Sequence, residues 1–308
     1  MIEISNLTKT LGKKRIISEL SLRVKHQECV GLLGGSGAGK TTLLNLIAGV
    51  MKPTAGDIKI QEFNTRLHPL QVKKRIGYQR ETALCHPTMS VNSFLNFIAS
   101  LHGLRGAEKR RRIDLAASRL ALWPVLDYPI DTLPMGLKRK VAIAQAILHD
   151  PDVLLLDDPT AGLAPDQQNK LIALIRSLAE EMAVIVTSRQ GDELATVCTR
   201  ALVLAGGHLV ADAPFTQLQR TSRHSQAITL ACDIPLDLLA LAVLPGVAGI
   251  EVNHDAPGTV TVLALPGHAI YLPINALIAN RGWNITAVNL EPGRVGDVVD
   301  HLSQGSPL

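Results

Sequence analysis

Aromatic side chains are scarce: Phe, Trp and Tyr together make up 3% of the 308 residues. A chain with so few rings has little on which to stack unpaired bases, so nucleic acid is not expected as a partner. Cysteine is sparse as well. Cys29, Cys85, Cys198 and Cys232 stand far apart with no Cys-x-x-Cys pair. They read as reduced, mostly buried thiols, and no zinc or disulfide framework is expected. The histidines lack metal spacing such as His-Glu-x-x-His. No run of about 18 apolar residues occurs, and residues 1–4 lack a basic segment followed by an apolar one. The expectation is a cytoplasmic chain, with any passage across a membrane supplied by another protein.

What is present is a globular composition, 46% hydrophobic and 19% charged, in a chain longer than one compact core usually needs. The net charge of +4 is too small to argue for DNA binding, but it suits work beside an anionic membrane surface. Residues 2–7, 20–24 and 29–33 read as strands, and 41–48 as a helix stopped by Gly49 and Pro53. Helical spacing dominates from about 90 to 150, over 93–101, 113–122 and 141–148. Strand signals return at 153–156 and 184–187, flanking an amphipathic helix at 166–181. Strands alternating with helices imply a mostly parallel sheet.

A first domain is therefore expected over 1–215, with a helical subdomain at about 90–150. Residues 216–225, polar and basic, read as a linker. Over 226–308 the order strand-helix-strand-strand-helix-strand predicts a small ferredoxin-like α+β domain.

The most specific signal is Gly34-Gly35-Ser36-Gly37-Ala38-Gly39-Lys40-Thr41-Thr42, which matches the phosphate-loop pattern G-x-x-x-x-G-K-[ST]. Glycines let the backbone curl until its N–H groups face phosphate oxygens, and the following helix aims its positive end at the same anion. Lys40 suits the β- and γ-phosphates, and the Thr41 hydroxyl suits Mg²⁺. Downstream, Leu154-Leu155-Leu156-Asp157-Asp158 is an apolar strand ending in two carboxylates. Asp157 fits the second magnesium-site group, acting through water.

Together these motifs make the chain resemble the ATP-binding subunit of ABC transporters over about residues 1–215. The tail resembles, more weakly, the C-terminal extension of exporter-type subunits that pair with a separate membrane protein. The resemblance implies an α/β phosphate-loop ATPase core, ATP and Mg²⁺ as ligands, and a membrane subunit as partner. It also implies a second cassette set head to tail, and a peripheral place on the inner face of the cell membrane. Each composite site would join the phosphate loop of one cassette to the signature loop of the other.

Several positions depart from the family pattern. Leu11 stands where an aromatic residue usually stacks on adenine, a contact worth ~1–3 kcal/mol. In the Q-loop stretch Ile76-Gly77-Tyr78-Gln79-Arg80-Glu81, Glu81 aligns with the metal-linked ligand position, and Gln79 is the alternative. In the signature stretch Leu133-Pro134-Met135-Gly136, Gly136 is kept. Pro134 replaces a serine, and it offers neither a hydroxyl nor a backbone N–H. Asp158 replaces the glutamate that polarises the attacking water, Ala164 replaces the D-loop aspartate, and Arg189 replaces the switch histidine. The expectation is a weak ATPase coupled to a membrane subunit. A regulatory ATP-binding clamp with little turnover is the other reading. The basic run Lys109-Arg110-Arg111-Arg112 reads as a solvated face or as a contact for lipid headgroups or an acidic loop.

Overall fold

In the computed structural model, residues 1–81, 88–189, 191–233, 235–253 and 258–303 are described. Cys85 lies outside them. Two compact units divide between Ala213 and Pro214.

The first unit opens with β1 (Ile2–Leu11) and β2 (Lys14–Val24), an antiparallel pair with inward Ile2, Ile4, Leu7, Leu20, Leu22 and Val24. β3 (Cys29–Leu33) is buried along its whole length and leads through residues 34–39 into α1 (Lys40–Ile47). β4 (Ala55–Ile60) and β5 (Phe63–Asn64) extend the first sheet to the order β2-β1-β4-β5. α2 (Pro69–Arg75) then leads to β6 (Ile76–Gln79).

The helical part follows as α3 (Val91–Leu101), α4 (Gly106–Arg119) and α5 (Met135–Ile147). Ser90 caps α3, its hydroxyl accepting from the Ser93 N–H. The chain returns through β7 (Val153–Leu156), α6 (Pro165–Ala179), β8 (Ala183–Ser188), β9 (Arg200–Ala205) and β10 (His208–Pro214). The second sheet runs β10-β9-β3-β8-β7-β6, with β9-β3-β8-β7-β6 parallel. Parallel strands are covered on both faces, so β3 and β7 read as apolar runs, and β8 as one as far as Val186. Leu43, Leu44, Leu46 and Ile47 of α1 join both sheets in one core.

The second unit corrects the expected linker. Residues 216–225 are largely α7 (Phe215–Thr221), with Phe215, Leu218, Ser222 and His224 buried. Phe215 and Leu218, three apart, give this short helix one apolar stripe. It packs on α10 (Val295–Ser303). Between them run β11 (Ile228–Cys232), α8 (Leu238–Ala242), β12 (Val247–Val252), β13 (Thr259–Ala264), α9 (Tyr271–Arg281) and β14 (Ile285–Leu290). The antiparallel sheet order β12-β13-β11-β14 is the ferredoxin-like arrangement. His224 is fully buried, with Nδ1 2.5 Å from Asp297 Oδ2 and Nε2 2.8 Å from Glu251 Oε2, joining α10 and β12.

α5 is fastened to β6 by side chains reaching backbone carbonyls. Arg139 Nη1 donates to Glu81 O at 2.5 Å and Gln145 Nε2 to Tyr78 O at 2.9 Å, while His149 Nε2 lies 3.1 Å from Ile76 O. His149 also stacks on His102 with ring centroids 3.9 Å apart, and its Nδ1 is buried without a partner. Burial first, then the neighbouring His102, holds His149 down at about 4. An unfolded histidine titrates near 6.5. Between those values the unfolded chain therefore takes up a proton that the folded chain refuses. This contribution to stability is complete above about pH 6.5 and is lost as the pH falls towards 4, by up to ~3 kcal/mol. Urea midpoints measured from pH 7 to pH 4 should fall less steeply in His149→Gln than in the parent protein.

Candidate active site

The loop after β3 curls because three glycines adopt positive φ: Gly34 (149°), Gly37 (78°) and Gly39 (108°). Two of them also lack room for a side chain. A Cβ on Gly34 would stand 2.3 Å from Leu204 O, and one on Gly39 would stand 2.9 Å from Ile17 Cδ1. Gly39 caps α1, so the loop ends on that helix's N-terminus. Lys40 Nζ folds back to donate to Gly34 O (2.5 Å) and Gly35 O (3.0 Å). Burial lowers its pKa, and the charges of Asp158, Asp157 and Glu81 oppose that while Arg189 adds to it. One cluster therefore gathers Lys40, Asp157, Asp158, Glu81 and Arg189 at the ends of β3, β6, β7 and β8.

β7 and β8 position the two aspartates. Asp157 N–H donates to Gln79 O at 3.0 Å, which continues the β6–β7 pairing. Thr187 Oγ1 on β8 donates to Asp157 Oδ1 at 2.9 Å and accepts from the Asp158 N–H at 2.7 Å. Asp157 Oδ2 is buried with no partner. A carboxylate oxygen left bare in this way suits a cation or its bound water, so the site fits a hard divalent ion. Asp158 sits at φ 47°. Burial raises its pKa, Arg189 opposes the rise, and Glu81 adds to it. Arg189 Nε lies 3.4 Å from Asp158 Oδ2 and its Nη2 3.7 Å from Glu81 Oε1. Its guanidinium is largely exposed and bridges the two carboxylates.

The two Q-loop candidates differ in setting. Gln79 is wholly buried, its Nε2 donating to Arg80 O at 2.5 Å, and its Oε1 has no partner. Glu81 is exposed and faces Arg189. The signature residues stand elsewhere in the fold. Pro134 precedes α5 without a side-chain cap, Met135 is exposed, and Gly136 faces Gln167 of α6. Ala164 precedes α6, and Leu11 ends β1, exposed.

Thr187 and Arg139 carry no role in the sequence reading. A hydroxyl residue inside the apolar run Ala183–Ser188 is the local sign that could have singled out Thr187. In the second unit, a cavity of about 1140 Å³ is bordered by Arg220, Arg223, Asp297 and His301. It contains no group of the phosphate-loop cluster.

A sequence model of the ABC transporter family matches residues 17–161. The ABC transporter ATP-binding protein NatA of Bacillus subtilis is 31% identical over 217 residues, 68% of this chain and 88% of that protein. The linearmycin resistance ATP-binding protein LnrL of the same organism is 30% identical, over 71% of this chain and 70% of its own. Among solved structures, cbiO1 from Clostridium perfringens, part of the ABC transporter complex cbiONQ, matches at TM-score 0.65 and 25% identity. It covers 70% of this chain and 89% of that one. The dimeric structure of a bacterial ABC transporter cassette matches at TM-score 0.63 and 26% identity, over 70% and 98%.

The Thr187 contacts give a direct test of how the aspartates are held. Thr187→Val keeps the shape but strands Asp157 Oδ1 and the Asp158 N–H in a buried place, at a cost of ~1–3 kcal/mol. Guanidinium unfolding should show that loss for Thr187→Val, and much less of it for Thr187→Ser.

Proposed function

The chain belongs to the ABC transporter family as an ATP-binding subunit, and on that premise we propose that it binds Mg-ATP at residues 34–42 with its hydrolytic step attenuated. Members of this family hydrolyse ATP, pair their cassettes and act with membrane subunits. The proposed setting is the cytoplasmic face of a membrane, reached through a separate membrane subunit of an exporter.

The observation that carries the reading is the cluster of Lys40, Asp157, Asp158, Glu81 and Arg189 beside the glycine loop. The loop amides and Lys40 take the phosphates once Lys40 exchanges its two carbonyl acceptors for phosphate oxygens. Thr41, Asp157 and Glu81 would hold Mg²⁺, with Asp157 Oδ2 the oxygen left free for it. An ion held by these residues would neutralise phosphate charge. Gly136 would lie against the γ-phosphate of a nucleotide held by the partner cassette. Leu11 gives adenine no ring to stack on, so base selectivity is weak.

Attenuation follows from four positions. Asp158 is one methylene shorter than glutamate, which withdraws its carboxylate by about 1.5 Å, and misplacement on that scale costs ~10²-fold in rate. Arg189 donates but cannot accept a hydrogen bond. Pro134 and Ala164 remove groups offered to the partner cassette. In a homodimer both sites would be doubly impaired. With an intact partner chain, each site would still carry one kind of damage. A slow clamp is the second reading, favoured by the bridge from Arg189 to both carboxylates.

Two measurements test this. Calorimetry should show Mg-ATP affinity falling at least tenfold in Lys40→Ala, since the backbone cannot replace a lost cationic phosphate contact. Equal affinity in the two proteins contradicts the site. Steady-state assays should show turnover rising in the double variant Asp158→Glu, Arg189→His. An unchanged or lower rate means that these two residues do not limit hydrolysis.

A further inference from the structure

Cys29 and Cys198 are 169 residues apart in sequence, yet their sulfurs lie 3.2 Å apart. Cys29 is the first residue of β3, and Cys198 stands just before β9, the strand beside it. Cys29 is 6% exposed and Cys198 2%. The turn Asp192–Thr196 holds Cys198 in place, its N–H donating to Leu194 O at 2.8 Å. Cys232, the remaining described cysteine, belongs to the second unit, where its thiol donates to Gly258 O.

The geometry points to Cys29 and Cys198 as an oxidation site that closes to an intramolecular disulfide when a small hydroperoxide reaches it. Neighbouring strands already bring the sulfurs to contact, so bonding at about 2.05 Å requires them to approach by only about 1.2 Å. The burial of both thiols excludes bulky reagents, so the oxidant proposed is a small one.

Roles divide by environment. The hydrogen bond to Cys29, then burial, raises the Cys198 thiol well above its ordinary value and keeps it protonated. Cys29, the less enclosed of the two sulfurs at 6% exposure, attacks the peroxide after losing its proton to solvent. The O–O bond breaks, a sulfenic acid forms on Cys29, and hydroxide leaves, taking a proton from solvent to become the first water. The Cys198 sulfur then attacks the Cys29 sulfur and gives up its proton to the departing hydroxyl. The S–O bond breaks, the S–S bond forms, and the second water leaves. The two thiols lose two electrons and the peroxide gains them.

The loop so closed contains residues 34–42, Glu81, Pro134, Gly136, Asp157, Asp158 and Arg189. Cross-linking a loop of this length restricts the unfolded chain strongly, so the oxidised protein resists heat better. This inference stands apart from the nucleotide reading and uses none of its residues.

The test treats the folded full-length protein with hydrogen peroxide, blocks the remaining thiols after denaturation, and maps the peptides by mass spectrometry. The expected product is one linked pair, Cys29 with Cys198, two hydrogens lighter than the sum of its peptides and reversed by dithiothreitol. It forms faster as the pH is raised, since the thiolate is the reacting species. The melting temperature should rise by several degrees on oxidation, and by none in Cys29→Ala or Cys198→Ala. Three results would overturn the site: no linked pair, sulfinic acid at Cys29 without a cross-link, or a cross-link that appears only after denaturation.

Discussion

The site depends on the near-contact between the phosphate loop and the backbone of β9. At residue 34 the loop passes so close to the Leu204 carbonyl that no Cβ fits. That passage is set by the parallel pairing of β3 with β9, Val30 opposite Arg200 through Leu33 opposite Val203. The pairing fixes where the chain leaves the sheet. Glycine at 34, 37 and 39 then lets it turn onto the N-terminus of α1. Once the turn is made, Lys40 lies over the loop's own carbonyls. The carboxylates at the ends of β7 and β6 fall within electrostatic reach of it. Loop, lysine and aspartates are thus consequences of one strand order, β9-β3-β8-β7-β6.

A second link joins the α5 region to the stretch 76–81. Arg139 begins three residues after Gly136 and reaches the Glu81 carbonyl, while Gln145 and His149 fix Tyr78 and Ile76 further along the same strand. The segment that would serve a partner cassette is therefore tied, through α5, to the backbone that presents Glu81 to Arg189. A displacement of either end has a hydrogen-bonded path to the other. The buried guanidinium of Arg139 makes its bond expensive to leave unmade, because its Nε already lacks a partner.

How far the sequence can be read follows the range of the interactions. The phosphate loop and Asp157 are legible because glycine, lysine and carboxylate act within a few residues of one another. The apolar runs at 29–33 and 153–156 give buried parallel strands for the same local reason. The strand-helix order of the tail gives its ferredoxin-like sheet. Residues 216–225 mislead because polar composition outweighs two apolar residues in a seven-residue helix, too short to show a period. The Arg139 bond spans 58 residues, and the Cys29–Cys198 contact 169. No local pattern encodes either, so only the folded chain shows them. In the Q-loop stretch, alignment favours Glu81 and leaves Gln79 as the alternative. Burial of Gln79 and the Arg189 bridge of Glu81 separate their settings.

The central claim is that binding and hydrolysis are separable in this chain, with the phosphate cradle whole and the water-activating group set back. It is tested by following bound nucleotide and released phosphate together after Mg-ATP is mixed with the purified protein. The account predicts near-complete occupancy reached well before any phosphate appears, with release slow and little changed by Asp158→Asn. Prompt, multiple-turnover release that Asp158→Asn abolishes would contradict it.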